Sequence, residues 1–184
     1  TSTSTGTTIT SNSVTPTGGA LLVAIAFSNS SGDPGAVSGA SDTLTGTGSW
    51  TKQLDVNYGS NPYALVSILT AQAGDTPGSG TITVTYGASS SRKMLHVYEV
   101  TGHDTSSPVA KFQTNSNSGT TLTVTLASLP AADAMVLAAA CQANCSQPTG
   151  NIAPGSGFTE GAETETAIAA GNVDGQSMYD ISSA

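Results

Sequence analysis

The chain has 184 residues, 12 acidic and 4 basic side chains, and a formal net charge of −8. Binding phosphate or anionic lipid needs a concentrated cationic face, and Lys52, Arg92, Lys93 and Lys111 are too few to make one. Charged residues are only 9% of the chain, so hydroxyls and amides must solvate the surface, a habit of cell-exterior and virus-particle proteins more than of cytosolic enzymes.

The length suits one domain with a substantial core. No apolar run approaches the roughly 18 residues of a membrane-spanning helix. The chain starts at Thr1 without a signal-like segment, which fits a removed export signal and the lack of one equally well.

Residues 1–13 are hydroxyl-rich around a single strong apolar residue, Ile9, and read as a flexible arm that orders on assembly, with an edge strand near Thr7 to Thr10. Residues 14–184 are then the domain. After the turn Pro16 to Gly19, Leu21 to Phe27 is a strand with one bulky face, Leu21, Val23, Ile25 and Phe27, and one smaller face. The bulky face is expected to enter the core. Ser28 to Gly48 reads as loop with short β-like pieces around Val37 and Leu44, and a strand begins at Trp50 and Leu54. Tyr58 to Pro62 is a turn, Ala64 to Ala71 a strand, and Gly74 to Gly78 a sharp break.

From Thr81 to Gly102 the pattern is clearest. Ile82, Val84 and Tyr86 alternate with threonines, Gly87 to Ser91 is a polar break, and Met94 to Val100 follows, which predicts a β-hairpin. Lys111 to Gln113 and Thr120 to Leu126 continue in the same way, the second with Leu122, Val124 and Leu126 on one face.

The Ala-rich run 131–141 has helical propensity but echoes the stretch from Pro16 to Ala24 at an offset of 114, and is read as strand. Two last strands, Glu163 to Ala169 and Gln176 to Ile181, are joined by a turn at Asn172 to Gly175. Short, regular spacing between turns predicts an all-β fold: an antiparallel sandwich of Greek-key or jelly-roll type with about eight strands.

Several phrases in this order, Gly19-Ala-Leu-Leu-Val-Ala24, Asp42 with Gly48-Ser-Trp50-Thr51, Thr81-Ile-Thr-Val-Thr-Tyr86, Glu99-Val-Thr-Gly102 and Ala132-Asp-Ala-Met-Val136, resemble an Ig-like or jelly-roll β-sandwich module. Such modules occur in bacteriophage virion proteins (capsid decoration, tail and fibre) and in bacterial surface proteins. The resemblance covers about Gly18 to Phe158. It implies a structural or adhesive role and brings no catalytic, cofactor or metal residues with it.

Candidate chemistry is sparse. Ser90-Ser91-Arg92-Lys93 matches S-x-x-K but lacks its companion motifs, and reads as a turn with two solvated cations. His96, Glu99, His103 and Asp104 are metal-ligand types, yet His96 and Glu99 fall on opposite faces of a strand and no nucleophile accompanies them. Cys141 and Cys145 would lie about 13 Å apart in a continuous strand, while a turn at Gln142 to Asn144 would allow a disulfide. The acidic tail, including Asp174 and Asp180, lacks the alternating acidic spacing of a calcium loop and reads as solvated charge. Trp50, Tyr58 and Tyr63 are candidate contacts for a glycan.

The sequence therefore points to a non-enzymatic structural protein on a virion surface or otherwise extracellular. It needs no cofactor, and its partners are neighbouring subunits, including copies of itself. A carbohydrate-binding module of a secreted surface protein is the alternative.

Overall fold

The computed structural model describes residues 5–59, 63–126, 134–145, 152–166 and 172–180, with backbone alone at 143–145, 165–166 and 172–173. The described strands are β1 (Gly6–Thr10), β2 (Leu21–Ser30), β3 (Val37–Asp42), β4 (Thr51–Tyr58), β5 (Tyr63–Gln72), β6 (Ile82–Ser90), β7 (Arg92–Val100), β8 (Val136–Cys145), β9 (Thr159–Thr166) and β10 (Asn172–Asp180). They form an all-β antiparallel sandwich of three sheets, β1-β6-β3, β4-β5-β2-β7 and β8-β10-β9. Ten strands in three layers replace the expected eight in two.

The four-stranded sheet lies in the middle. In β2 every residue from Leu21 to Ser30 is buried, because β6 crosses one of its faces and β10 the other. The bulky face, Leu21, Val23, Ile25 and Phe27, packs with Val66, Met94 and Leu137 toward the third sheet. The face expected to be secondary is also interior: Leu22, Ala24 and Ala26 share a cluster with Ile9, Leu65, Leu69, Ile82, Val84 and Tyr86 toward the first sheet. Small alanines on β2 leave room for Tyr86, whose hydroxyl donates to the Phe27 carbonyl at 2.8 Å. Burial pushes the Tyr86 phenol up from its ordinary pKa. The five large apolar side chains of β2 contribute on the order of 10 kcal/mol of gross burial.

The predicted hairpin is a corner instead. Strands β6 and β7 are consecutive but belong to different sheets, β6 pairing with β1 and β3, and β7 with β2. The chain turns between sheets at Ser90 to Arg92, and the polar break assigned to Gly87 to Ser91 is strand as far as Ser90. Ser90 is fully buried and its hydroxyl meets Ser28 Oγ at 2.6 Å and the Asn29 and Arg92 carbonyls at 3.0 Å. Lys93 is 1% exposed rather than solvated; its Nζ donates to the Ser90 carbonyl at 2.7 Å and the Gly6 carbonyl at 3.2 Å. Desolvation lowers its pKa.

The edge strand expected near Thr7 to Thr10 is present as β1, already paired with β6 in the single chain, with Ile9 5% exposed in the core. The run 131–141, read as strand, is strand from Val136 onward; residues 131–133 lie outside the described residues. Other expectations change. Asn172 to Gly175 is no turn but the start of β10. Residues 111–113 and 120–126 are not strands, and they lie on the surface.

Gly175 shows how closely the third sheet sits. A Cβ there would come within 2.6 Å of Met94 Cε and 2.9 Å of the Phe27 ring. Gly175→Ala is expected to destabilise the fold by about 1–3 kcal/mol through overpacking. Gly39→Ala on β3, where a Cβ meets nothing within 4 Å, is expected to cost nothing; urea denaturation of the two variants tests the contrast.

Candidate functional site

Alternation along β7 sends Leu95 and Val97 to the first core and Met94, Tyr98 and Val100 to the second. His96 shares the second face and stands edge-on to Phe27, with ring centroids 5.0 Å apart. Two titratable side chains, His96 and Tyr98, thus enter an otherwise apolar layer and must find partners there. They find them on the third sheet.

His96 Nδ1 lies 3.2 Å from Ser177 Oγ on β10, and Nε2 lies 2.7 Å from Thr164 Oγ1 on β9. The Tyr98 hydroxyl makes a short hydrogen bond with the same Ser177 oxygen. A bulge makes this possible. Gln176 pairs with Glu163 and Met178 with Glu160, so Ser177 faces both Gly161 and Ala162. The Ala162 N–H left over donates to Tyr98 at 2.9 Å and to Ser177 Oγ at 3.1 Å, while the Ser177 hydroxyl donates to the Ala162 carbonyl at 3.0 Å. Gly161 is required at the bulge, since a Cβ would come within 2.8 Å of the Ser177 carbonyl and 2.9 Å of the Tyr98 hydroxyl.

A neutral imidazole carries one N–H, so of its contacts to the Ser177 and Thr164 hydroxyls His96 donates one and accepts the other. Burial holds His96 down at about pKa 4, so the ring is neutral near pH 7. A serine beside a histidine invites comparison with a nucleophile and base. Here Ser177 is fully buried and engaged on all sides, and a hydroxyl stands where a triad carboxylate would orient the ring. What this arrangement does is tie the third sheet to the middle one.

The sequence-predicted residues scatter. His96 and Glu99 do face opposite ways; Glu99 accepts from the Thr17 N–H at 2.9 Å and from its hydroxyl at 3.1 Å. His103 Nδ1 sits 3.1 Å from the Val100 carbonyl, and Asp104 accepts the Ser106 N–H at 2.8 Å. Among the described residues no three His, Cys, Asp or Glu side chains are grouped to hold a metal ion. Asp174 is fully buried on β10, not solvated as expected.

Strand β8 runs through both Cys141 and Cys145, with no turn at 142–144. Four steps of strand set their Cα atoms about 13 Å apart, beyond disulfide reach. Trp50 precedes β4 and packs against the first core, its Nε1–H donating to Asp42 Oδ2 at 2.6 Å. Tyr58 closes β4 about 26 Å further along, next to Tyr63 at the start of β5. Tyr58 pairs with Ala64, so Tyr63 beside it points to the opposite face of the sheet, and the three aromatics share no surface.

Another surface was hidden in the pattern. Residues 105–126 run over the outside, held by Asn115 Nδ2 to the Thr123 carbonyl and Asn117 Nδ2 to the Thr121 carbonyl, both at 2.7 Å. Phe112 is 59%, Leu122 43% and Val124 47% exposed. The first limb flanks edge strand β4, where Lys52 to Asp55 and Phe112 to Thr114 line a shallow depression.

Comparison with known proteins finds no family model, curated protein or solved structure that matches this chain.

The neutral, buried histidine gives a signed prediction. The unfolded chain binds its proton near pH 6.5, the folded chain only near 4. Stability contributed by His96 is therefore complete above about pH 6.5 and is lost toward pH 4, by up to about 3 kcal/mol. His96→Gln is expected to be less stable at neutral pH and to lose less on acidification; the difference between the two proteins in urea midpoint against pH isolates this group from the carboxylates.

Proposed function

We propose that the chain is a non-enzymatic structural module of an assembled extracellular particle, such as a phage head-decoration, tail or fibre protein. One observation carries the reading. The fold covers its apolar side chains between sheets on both faces of the middle layer, yet Phe112, Leu122 and Val124 are exposed within one surface stretch of chain, 105–126. Exposed apolar side chains grouped in this way mark a protein contact. The surface around them is hydroxyl-rich and nearly free of cations, as suits packing against like subunits outside a cell.

Supporting this, the polar cluster around His96 serves cohesion between sheets, and the depression beside β4 is shallow. A rigid three-layer block with open edge strands is a building unit. Carbohydrate binding is the second reading; Tyr58 and Tyr63, half-buried on opposite faces at one end of the middle sheet, would each offer a single stacking ring.

Glycan-array binding and light scattering over a range of concentrations separate the readings. Concentration-dependent association without glycan binding is the expected outcome. Glycan binding by a monomer, abolished in Tyr58→Ala or Tyr63→Ala with unfolding unchanged, would replace the structural reading with the adhesive one.

A further inference from the structure

We propose that the outer face of the third sheet holds a calcium ion between Glu163, Asp174 and Gln176, a site that stands apart from the assembly reading.

The geometry starts from the alternation of β10. A Cβ at Gly175 would meet Phe27 and Met94, and Ser177 reaches His96, so both positions face the middle sheet. Asp174 and Gln176 alternate with them and point the other way. Strand β9 agrees. Thr164 meets His96 on the inner side, which turns its neighbour Glu163 outward, and Glu163 is the ladder partner of Gln176. Paired residues of an antiparallel ladder share a face with Cβ atoms about 5 Å apart, and the next residue on that face of one strand is about 7 Å away. Glu163, Gln176 and Asp174 therefore surround one point.

Gln176 is the telling group. Although it faces away from the middle sheet it is 0% exposed, as is Asp174. Both polar atoms of its amide, Oε1 and Nε2, are buried without a hydrogen-bond partner. An amide withdrawn from water and left unsatisfied is strongly disfavoured, so its place between two carboxylates marks the position of a ligand.

The chemistry of the donors selects that ligand. Two carboxylates and an amide carbonyl are hard oxygen donors, and β8, β9 and β10 contain no Lys, Arg or His. The strands of this sheet thus bring negative charge and no positive charge to their own face, and a cation is what such a set takes. Calcium fits better than magnesium, because magnesium keeps several of its waters while calcium accepts about six to eight oxygens in irregular arrangement. With the ion in place Gln176 Oε1 is a ligand and its N–H groups serve an adjoining carboxylate, which satisfies both halves of the amide. Two carboxylates with one amide agree with the lack of any three grouped His, Cys, Asp or Glu among the described residues. Since β9 and β10 also carry Thr164 and Ser177, the ion stiffens the pair of strands that grips His96.

The test is isothermal titration calorimetry with thermal unfolding, on the full chain freed of divalent ions by a chelator and then given calcium chloride or magnesium chloride. The expected result is one calcium per chain, a higher unfolding temperature with calcium, and a much smaller response to magnesium. Glu163→Gln alters a half-buried residue, so the calcium-free variant should unfold as the parent does while its calcium affinity falls roughly tenfold or more. Asp174→Asn should abolish binding; if that variant fails to fold, E163Q still decides. Asp33→Asn, in the loop leading to β3 of the first sheet, should bind as the parent does. No calcium binding by the parent, undiminished affinity in E163Q, an equal loss in D33N, or a response to magnesium as large as that to calcium overturns the site. None of these outcomes bears on the assembly reading, which rests on residues 105–126.

Discussion

The structure depends on the burial of β2 from both sides. Ten consecutive residues, Leu21 to Ser30, lie inside, which in an antiparallel fold demands two covering sheets rather than one. Everything else follows from supplying them. The first cover is β1-β6-β3, threaded by the corner at Ser90 that carries the chain from β6 into β7. The second is β8-β10-β9, set so close on Phe27 and Met94 that β10 needs glycine at position 175.

The two interfaces are made by different means. Toward the first sheet, small side chains on β2 meet a large one, Tyr86, and the polar groups gather at the corner, where Ser28, Ser90 and Lys93 satisfy one another and nearby carbonyls. Toward the third sheet a polar patch sits inside the layer. His96 and Tyr98 reach across to Ser177, Thr164 and the bulged backbone at Ala162. Buried hydrogen bonds of this kind add modest net energy but are costly to break, so they specify how the third sheet docks. The desolvated ring makes that docking weaken in acid.

Outside this block, the stretch 105–126 has strand-like sequence without a strand's partners. Placed at the edge of the middle sheet beside β4, it leaves Phe112, Leu122 and Val124 exposed outside a closed interior. The functional reading lives on this contrast: reactive groups are turned inward to hold layers together, and the apolar remainder is turned outward.

The sequence by itself determined that the protein is all-β, where most strands lie, and that it is hydroxyl-rich with a net negative charge. Threonine and aliphatic alternation at period two is a local signal, legible in β6 without any neighbour. Even the Ala-rich run from Val136 declared itself through its echo of β2. Only the tertiary structure decided which faces are covered. Leu22, Ala24 and Ala26 look like an exposed flat side until a second sheet is present. Ser90 to Lys93 looks like a solvated turn until the chain is seen to change sheets. His96 meets partners 68 and 81 residues away, and no local pattern in β7 encodes where β9 and β10 will stack. The alternation at Leu122 to Leu126 was visible, yet those residues pair with no described strand, because a strand's sequence states its period and leaves its neighbour to the fold.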